Sequence, residues 1–430
     1  MEHIIISGNK PLKGRVDISG AKNAAVAIIP ATLCAGGVHT IENLPQIEDV
    51  RNYITVLESM GASCEFLDDH TMRVDARNVS STVNMPENLK GMRASYYLIG
   101  SLLGRFKKAV VPMPGGCNFG SRPIDQHIKG FEALGAEVIQ EHGSIFVTAE
   151  RLVGTKIYLD VASVGATINI MMAAVYAEGE TILENCAKEP HIVDCANFLN
   201  MCGANIKGAG TGVMRITGVT PTDMKDRDYT IIPDQIEAGT YMIAAAVTGG
   251  EVTVRRVIPK HMEALSAKLQ EMGCDVFAGD DWIKVRGKEE LKPTTVTTLY
   301  YPGFPTDLQP QMTALLTQGN GTSYVTETVF ENRFQYIDQL ARLGAKVKIE
   351  GRMAVIEGQA RLTGADVTAT DLRAGACLVV AALAAEGNTQ ISNVHYIDRG
   401  YENLEEKLTA LGANIRRISD GEPPLVALEA

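Results

Sequence analysis

Apolar residues recur along this chain in two spacings, one typical of helices and one typical of strands. From Tyr401 to Leu408 they are three and four positions apart, which predicts an amphipathic helix. The stretches 345–350 and 353–356 alternate apolar and polar residues, as half-buried strands do. More continuously apolar helices are predicted to end at glycines such as Gly179 and Gly387, each followed by a β-rich stretch. These patterns predict an α/β fold.

A short phrase centred on glycine recurs six times. Its glycines are Gly61, Gly135, Gly203, Gly273, Gly344 and Gly412, on average about 70 residues apart. That period exceeds the roughly 20–50 residues of solenoid repeats, so each copy is a small subdomain. Six copies divide most simply into two similar lobes of three, with ligands bound in the cleft between them. The repeat by itself would also fit a ring-shaped clamp or a structural assembly, because a fold does not fix a function.

Length and hydropathy favour a soluble cytoplasmic protein with two domains. The chain has 430 residues, 45% of them hydrophobic, which is more than one ordinary core supports. Its longest apolar stretches, near residues 168–177 and 377–385, fall short of the roughly 18 residues that a membrane span needs. The first eight residues lack the basic start and the cleavage site of a secretory signal, and we expect a strand there.

Cysteine spacing and net charge exclude several functional classes. The eight cysteines form no CxxC pair and no zinc-binding pattern, so we expect reduced thiols, no metal and no cofactor. A formal charge of −11, without a run of lysines or arginines, argues against nucleic-acid binding. A small anionic ligand, held by a few arginines, remains compatible with this charge. The oligomeric state is not specified.

One stretch, residues 114–127, differs from its counterparts in the other repeats. Its glycines permit a loop with positive φ, and Cys117 lies at the tip of that loop. The next helix is predicted to start near Pro123, which would direct backbone N–H groups and Arg122 toward the loop and favour a Cys117 thiolate. The alternative is that Cys117 is one more buried thiol.

Basic residues recur where strands are predicted to meet helices. Lys22 stands at such a junction, either as a solvated lysine or as a partner for phosphate or carboxylate. Arg93, Arg333, Arg373 and Arg399 each lie beside a polar or acidic residue, so any one of them could form a structural ion pair. Their shared placement favours an anion clamp.

Asp307 is the candidate for proton transfer. It lies in the string Phe304-Pro305-Thr306-Asp307, just before a predicted helix, where Thr306 or Asp307 could act as a helix cap. If the carboxylate instead faces a ligand cleft, it could accept a proton from a hydroxyl group. Both interpretations remain open at this point.

These stretches together resemble the UDP-N-acetylglucosamine 1-carboxyvinyltransferase family. No single string decides the resemblance, but their order along nearly the whole chain is specific. The strings are residues 20–23 (GAKN), 92–95 (MRAS), 114–117 (PGGC), 122–127 (RPIDQH), 163–167 (SVGAT), 304–307 (FPTD), 326–333 (TETVFENR), 369–373 (ATDLR) and 397–401 (IDRGY).

The resemblance implies a two-lobed inside-out α/β barrel, with three βαβαββ repeats and pseudo-threefold symmetry in each lobe. Residues 21–231 would form the N-terminal lobe, which carries the Cys117 loop. Residues 1–20 and 232–430 would form the C-terminal lobe, with the active site in the cleft between the lobes. The lobes would close over the nucleotide sugar before reaction, which excludes water.

The implied activity is transfer of the enolpyruvyl group of phosphoenolpyruvate to the 3-hydroxyl of UDP-N-acetylglucosamine, the committed step toward peptidoglycan. Lys22, Arg122 and Arg399 would hold phosphoenolpyruvate, and Cys117 would protonate it or add to it. Asp307 would take the hydroxyl proton. Further positive potential would come from Arg93, Arg333 and Arg373. The nucleotide-sugar site would comprise Asn23, Arg122, Pro123, Ile124, Asp125, His127, Ser163, Val164, Gly165, Asp307 and Val329.

Three positions depart from the pattern of the family. Glu48 and Val161 stand where some members have lysine, and Gln235 stands where arginine is common. These changes motivate one alternative, a catalytically silent paralogue that binds the nucleotide sugar. A second alternative is the sister transferase that acts on shikimate 3-phosphate, which shares the repeat. The PGGC and RPIDQH strings favour the nucleotide-sugar enzyme.

Overall fold

The chain folds into two compact units. The structure is a computed structural model that describes residues 2–83, 93–113 and 124–419. The N-terminal unit comprises the described residues of Gly20–Ile232. The C-terminal unit comprises the chain up to Ser19 together with the described residues from Pro233 onward. The chain therefore passes from one unit to the other after Ser19 and returns after Ile232.

Strands and helices alternate along the described residues. The strands are β1 (Glu2–Ser7), β2 (Lys13–Asp17), β3 (Val38–Glu42), β4 (Ser63–Asp68), β5 (Thr71–Asp75), β6 (Lys108–Pro112), β7 (Glu137–Glu141), β8 (Ser144–Thr148), β9 (Lys156–Tyr158), β10 (Glu180–Glu184), β11 (Asn205–Lys207), β12 (Val213–Thr217), β13 (Arg227–Thr230), β14 (Glu251–Arg255), β15 (Asp275–Ala278), β16 (Trp282–Arg286), β17 (Thr295–Thr297), β18 (Thr322–Thr326), β19 (Lys346–Glu350), β20 (Met353–Glu357), β21 (Asp366–Thr368), β22 (Asn388–Ser392) and β23 (Asn414–Ser419). The helices are α1 (Lys22–Ala35), α2 (Glu48–Ser59), α3 (Tyr97–Phe106), α4 (Asp125–Ala133), α5 (Val164–Ala174), α6 (Pro190–Cys202), α7 (Gln235–Val247), α8 (Glu263–Glu271), α9 (Gln309–Leu316), α10 (Ile337–Arg342), α11 (Leu372–Ala384), α12 (His395–Asp398) and α13 (Leu404–Ala410).

The described strands form six sheets, three in each unit. The N-terminal unit contains the sheets β13-β3-β5-β4, β6-β8-β7 and β9-β10-β12-β11. The C-terminal unit contains β2-β14-β16-β15, β17-β18-β20-β19 and β21-β22-β1-β23. In each four-stranded sheet the first pair is parallel and the other pairs are antiparallel. The predicted α/β class is confirmed: five of the six described sheets are mixed, and the described strands of β6-β8-β7 are all antiparallel.

Each repeat also contributes one buried helix and one amphipathic helix. The buried helices are α1, α3, α5, α7, α9 and α11, and nearly all of their described residues are inaccessible to water. A helix that is apolar on all sides belongs inside a core. The amphipathic helices end at the six repeat glycines, which have φ between 94° and 127°. Glycine adopts this conformation without steric cost, which explains the recurring phrase.

The hydrophobic cores follow the division into units. One cluster of buried side chains lies within Gly20–Ile232, and a second joins β1 and β2 to the chain after Pro233. The C-terminal helix differs from the prediction: α13 begins at Leu404 rather than Tyr401, because Asn403 has a left-handed backbone. Within the described ranges, no helix has the length and hydropathy of a membrane span.

Candidate active site

Several predicted site residues lie where the buried helices begin. Lys22 is the first residue of α1, Ser163 is the residue before α5, and Arg373 is the second residue of α11. Asp307 lies in the 3-10 turn Thr306–Leu308 that leads into α9. The start of a helix carries partial positive charge and unpaired N–H groups, so it favours anions. The repeats therefore supply several anion-compatible positions.

The carboxylate of Asp307 lies between two buried arginines. Its Oδ1 is 3.1 Å from Nη2 of Arg333, and its Oδ2 is 2.9 Å from Nη2 of Arg373. The two arginine side chains are only 4% and 6% exposed, whereas that of Asp307 is 26% exposed. The N-cap position of α9 is Leu308, so neither Thr306 nor Asp307 occupies it. Burial alone lowers the pKa of Arg373, but Asp307 and Tyr401 raise that pKa above its usual range.

A buried glutamate fixes the turn that carries Asp307. Glu327 is 1% exposed, and its carboxylate accepts hydrogen bonds from the hydroxyls of Thr306 (2.8 Å) and Thr298 (2.9 Å). It also accepts the backbone N–H of Val329 at 2.8 Å. Glu327 thus ties the candidate residues Asp307 and Val329 to one scaffold. No local sequence pattern distinguishes Glu327 from a surface glutamate, so this role is visible only in the folded chain.

Arg399 belongs to the same unit and follows α12. It is half-buried at the C-terminal end of that helix. The carboxylate of the adjacent Asp398 accepts hydrogen bonds from Arg417 at 2.6 and 2.9 Å. This ion pair holds the turn on which Arg399 lies.

In the N-terminal unit, Lys22 forms a buried ion pair. Its Nζ is 2.8 Å from Oδ2 of Asp49, and the two side chains are 14% and 5% exposed. The alternative of a solvated lysine is therefore wrong. Asn23 is half-buried beside it, and Glu48 is the first residue of α2. No sequence pattern singles out Asp49.

His127 and the start of α5 pack closely together. A Cβ atom at Gly165 would lie 2.8 Å from Nε2 of His127, so a larger residue there would require the imidazole ring to move. Ser163 caps α5, accepting the backbone N–H of Ala166 at 3.3 Å. His127 is buried, and its Nδ1 has no hydrogen-bond partner among the residues described. Burial lowers the pKa of His127 to about 4, although Asp125 opposes this shift.

The remaining candidates surround this packing contact or lie outside the described residues. Ile124 and Val164 are half-buried, and the carboxylate of Asp125 accepts a hydrogen bond from Gln126 at 2.8 Å. The helix predicted to start near Pro123 begins at Asp125. Cys117, Arg122 and Pro123 lie outside the described residues, as do the side chain of Arg93 and residues 420–430. Of the departures from the family pattern, Val161 is exposed, and Gln235 opens α7 after the cap Asp234.

A family profile described as EPSP synthase (3-phosphoshikimate 1-carboxyvinyltransferase) matches residues 6–408. The chain belongs to this family of carboxyvinyltransferases. It is 56% identical to the UDP-N-acetylglucosamine 1-carboxyvinyltransferase of Clostridium botulinum, over 97% of this chain and 100% of the relative. It is also 56% identical to UDP-N-acetylglucosamine 1-carboxyvinyltransferase 2 of Bacillus subtilis, over 98% of both chains.

Solved structures of carboxyvinyltransferases have the same fold. The enolpyruvyl transferase NikO from Streptomyces tendae aligns with a TM-score of 0.87 and 28% identity, over 97% of this chain and 99% of NikO. EPSP synthase from Acinetobacter baumannii aligns with a TM-score of 0.75 and 20% identity, over 97% and 100% of the chains. The predicted family is confirmed, and within it the nucleotide-sugar relatives are much more similar in sequence than the EPSP synthase structure.

Proposed function

We propose that this enzyme transfers the enolpyruvyl group of phosphoenolpyruvate to the 3-hydroxyl of UDP-N-acetylglucosamine and releases phosphate. This is the committed step of peptidoglycan synthesis, which we place in the cytoplasm. The observation that carries the proposal is the Asp307 carboxylate between two buried arginines, at the start of a helix. Full-length relatives that bear this enzyme's name at 56% identity support the choice of acceptor.

Both substrates are anions, and the candidate cations match them. We propose that Lys22, Arg122 and Arg399 bind the phosphate and carboxylate of phosphoenolpyruvate, while Arg93, Arg333 and Arg373 add positive potential. Lys22 and Arg373 begin buried helices, whose N-terminal charge acts in the same direction. In a site closed to water these charges act more strongly than in solution.

Addition would begin with proton transfer to Asp307. The 3-oxygen of the sugar bonds to C2 of phosphoenolpyruvate as its proton passes to the carboxylate, while the Cys117 thiol gives a proton to C3. The product of this step is a tetrahedral ketal phosphate. Loss of a C3 proton then forms the enol ether as the C2–O bond breaks and phosphate leaves.

The two arginines set a condition on this step. A carboxylate that two guanidinium groups hold is a weak base, because the cations favour its charged form. We propose that bound substrate anions take over part of the hydrogen bonding of Arg333 and Arg373. Asp307 would then be released to accept the hydroxyl proton. The quarter of the Asp307 side chain that is exposed is where the hydroxyl would approach.

The nucleotide sugar would bind largely to the N-terminal unit. The start of α5 offers backbone N–H groups to the pyrophosphate, next to the packing contact between Gly165 and His127. The buried Nδ1 of His127 is a polar atom that a ligand could satisfy. The full proposed set is Asn23, Arg122, Pro123, Ile124, Asp125, His127, Ser163, Val164, Gly165, Asp307 and Val329.

A choice of acceptors tests the proposal. Phosphate release would be measured with phosphoenolpyruvate and either UDP-N-acetylglucosamine or shikimate 3-phosphate. We expect turnover with the nucleotide sugar only. Turnover with shikimate 3-phosphate alone would assign the sister reaction, and binding of the nucleotide sugar without phosphate release would identify a silent paralogue.

A further inference from the structure

The outer face of the sheet β2-β14-β16-β15 contains a depression that the proposed reaction does not use. Its volume is about 760 Å³, within the roughly 300–1,000 Å³ range of small-molecule sites. The lining residues are Lys13, Gly14, Arg15, Glu251, Thr253, Arg255, Trp282 and Lys284. All of them belong to the C-terminal unit, and none is among the candidate active-site residues.

The strand register determines which charged side chains lie next to each other on this face. Thr253 of β14 pairs with Arg15 on one side and with Lys284 on the other. Glu251 pairs in the same way with Lys13 and Arg286, and Arg255 pairs with Trp282. Alternate residues of a strand point to the same face, so these side chains form three adjoining rows. Basic residues outnumber acidic ones there.

Other cations already neutralise the carboxylates on this face. Asp17 is bound by Arg255 at 2.6 Å, and Glu251 is bound by Arg286 at 2.6 Å. Asp275 is bound by Lys288 at 2.6 Å. Within the described part of the chain, Lys13 and Arg15 are left exposed with no carboxylate partner. A chain with a net charge of −11 thus has two uncompensated cations side by side.

The fold does not impose this excess of positive charge. In the related sheet β17-β18-β20-β19 of the same unit, Lys346 is 3.8 Å from Glu357, and Lys348 is 2.6 Å from Glu350. Each lysine of that outer face has a carboxylate. The excess on the sheet that carries the depression is therefore not repeated in this related sheet.

Trp282 adds an aromatic surface to the cations. It is the single tryptophan of the chain, it is half-buried in the depression, and its indole N–H makes no hydrogen bond to any described residue. Indole rings stack on the planar faces of nucleobases with little preference for sequence. β2 and β16 are separated by one strand, about 10 Å in all, which a nucleoside diphosphate can bridge.

We propose that this depression binds a nucleoside diphosphate, with the base on Trp282 and the phosphates on Lys13 and Arg15. The hydroxyl of Thr253 and the ammonium group of Lys284 lie between the two ends of the ligand. The size of the depression favours a small molecule over a polymer. Stacking identifies a π surface rather than a particular base, so ADP and UDP are both expected to bind. The site is separate from the proposed transferase site, because the two share no residue, although the acceptor of that reaction also contains a nucleoside diphosphate.

Because Trp282 is the single tryptophan, its fluorescence reports on this site directly. Wild-type protein would be titrated with ADP, with pyrophosphate and with adenosine. We expect saturable quenching by ADP and weaker binding of either part alone. The double variant Lys13→Gln/Arg15→Gln should bind ADP on the order of a hundredfold more weakly, about tenfold for each charged hydrogen bond lost. The matched control Lys346→Gln/Lys348→Gln should bind ADP normally.

Transferase activity separates this proposal from the preceding one. With whichever acceptor supports turnover, the variant Lys13→Gln/Arg15→Gln should release phosphate at the same rate as the wild type. Quenching by ADP that persists at wild-type affinity in this variant would overturn the site, since Lys13 and Arg15 would then not bind the phosphates. Absence of ADP binding to the wild type would also overturn it. So would displacement of ADP by acidic peptides at concentrations far below that of ADP, because that result would indicate a protein-docking surface.

Discussion

Replacement of Asp307 by asparagine removes the negative charge that Arg333 and Arg373 both contact. The charged atoms are 3.1 and 2.9 Å apart, and the two arginine side chains are almost completely buried. Removal of one partner from a buried pair typically costs about 3–5 kcal/mol, because it leaves an uncompensated charge. Partial exposure of Asp307 places the effect at the low end of that range. We therefore expect the free energy of unfolding to fall by about 3 kcal/mol.

The same substitution should impair turnover. Loss of a positioned general base typically reduces the rate roughly 10²–10⁴-fold, and asparagine cannot accept the hydroxyl proton. Phosphate release at saturating substrate concentrations measures this effect, and binding of UDP-N-acetylglucosamine should be largely retained. Urea unfolding followed by Trp282 fluorescence measures stability in the unit that carries Asp307.

Asp17→Asn is the matched control. Asp17 forms an equally short pair with Arg255, at 2.6 Å, but both side chains are about half exposed. Exposed pairs contribute about 1 kcal/mol or less, so stability and turnover should change little. Near-normal phosphate release by Asp307→Asn would remove Asp307 from the mechanism. Unchanged stability would show that the two buried arginines do not depend on its charge.

Three further predictions concern the thiol, the lysine and the histidine. Cys117→Ser should abolish alkylation by the epoxide fosfomycin, which intact-mass measurement detects. The reason is that burial raises the pKa of each of the other seven cysteines. Labelling of the serine variant would refute the assignment. Lys22→Met should raise the KM for phosphoenolpyruvate about tenfold or more. It should also lower the free energy of unfolding by about 2 kcal/mol, since Asp49 stays buried without its partner. The control Lys129→Met, which breaks an exposed ion pair, should behave as wild type. The His127 ring should titrate by NMR near pH 4, since its pKa is lowered to about 4 from 6.5. The neutral ring then contributes stability that is present above pH 6.5 and is lost as the pH falls through about 4, and a midpoint near 6.5 would contradict its burial.

Local signals in the sequence predicted most of the fold. Each repeat glycine follows a helix and has positive φ, so its conformational requirement leaves a mark in the sequence. The strands β19 and β20 match their alternating stretches to within one residue. Tyr401 fits the helical spacing, yet it precedes α13. Its hydroxyl instead joins a buried hydrogen-bond network with Thr240, at 2.8 Å, and Gln311.

Pairing between distant residues could not be predicted from one sequence. Arg333 and Arg373 were candidates for either an anion clamp or a structural ion pair, and both do contact a carboxylate. Their partner, Asp307, lies 26 and 66 residues away along the chain, beyond the reach of any periodic pattern. The same holds for Asp49 with Lys22, which share a contact only once α1 and α2 pack together. Burial, which decides the strength of these pairs, is likewise a property of the folded chain.

Mass analysis of the reaction product tests the central claim most directly. The protein would be incubated with UDP-N-acetylglucosamine and phosphoenolpyruvate, and the nucleotide sugar and free phosphate would be quantified together. We predict one enolpyruvyl group added to the nucleotide sugar for each phosphate released, with Asp307→Asn forming little of this product. An unmodified nucleotide sugar, under conditions in which the protein is folded and binds it, would contradict the account.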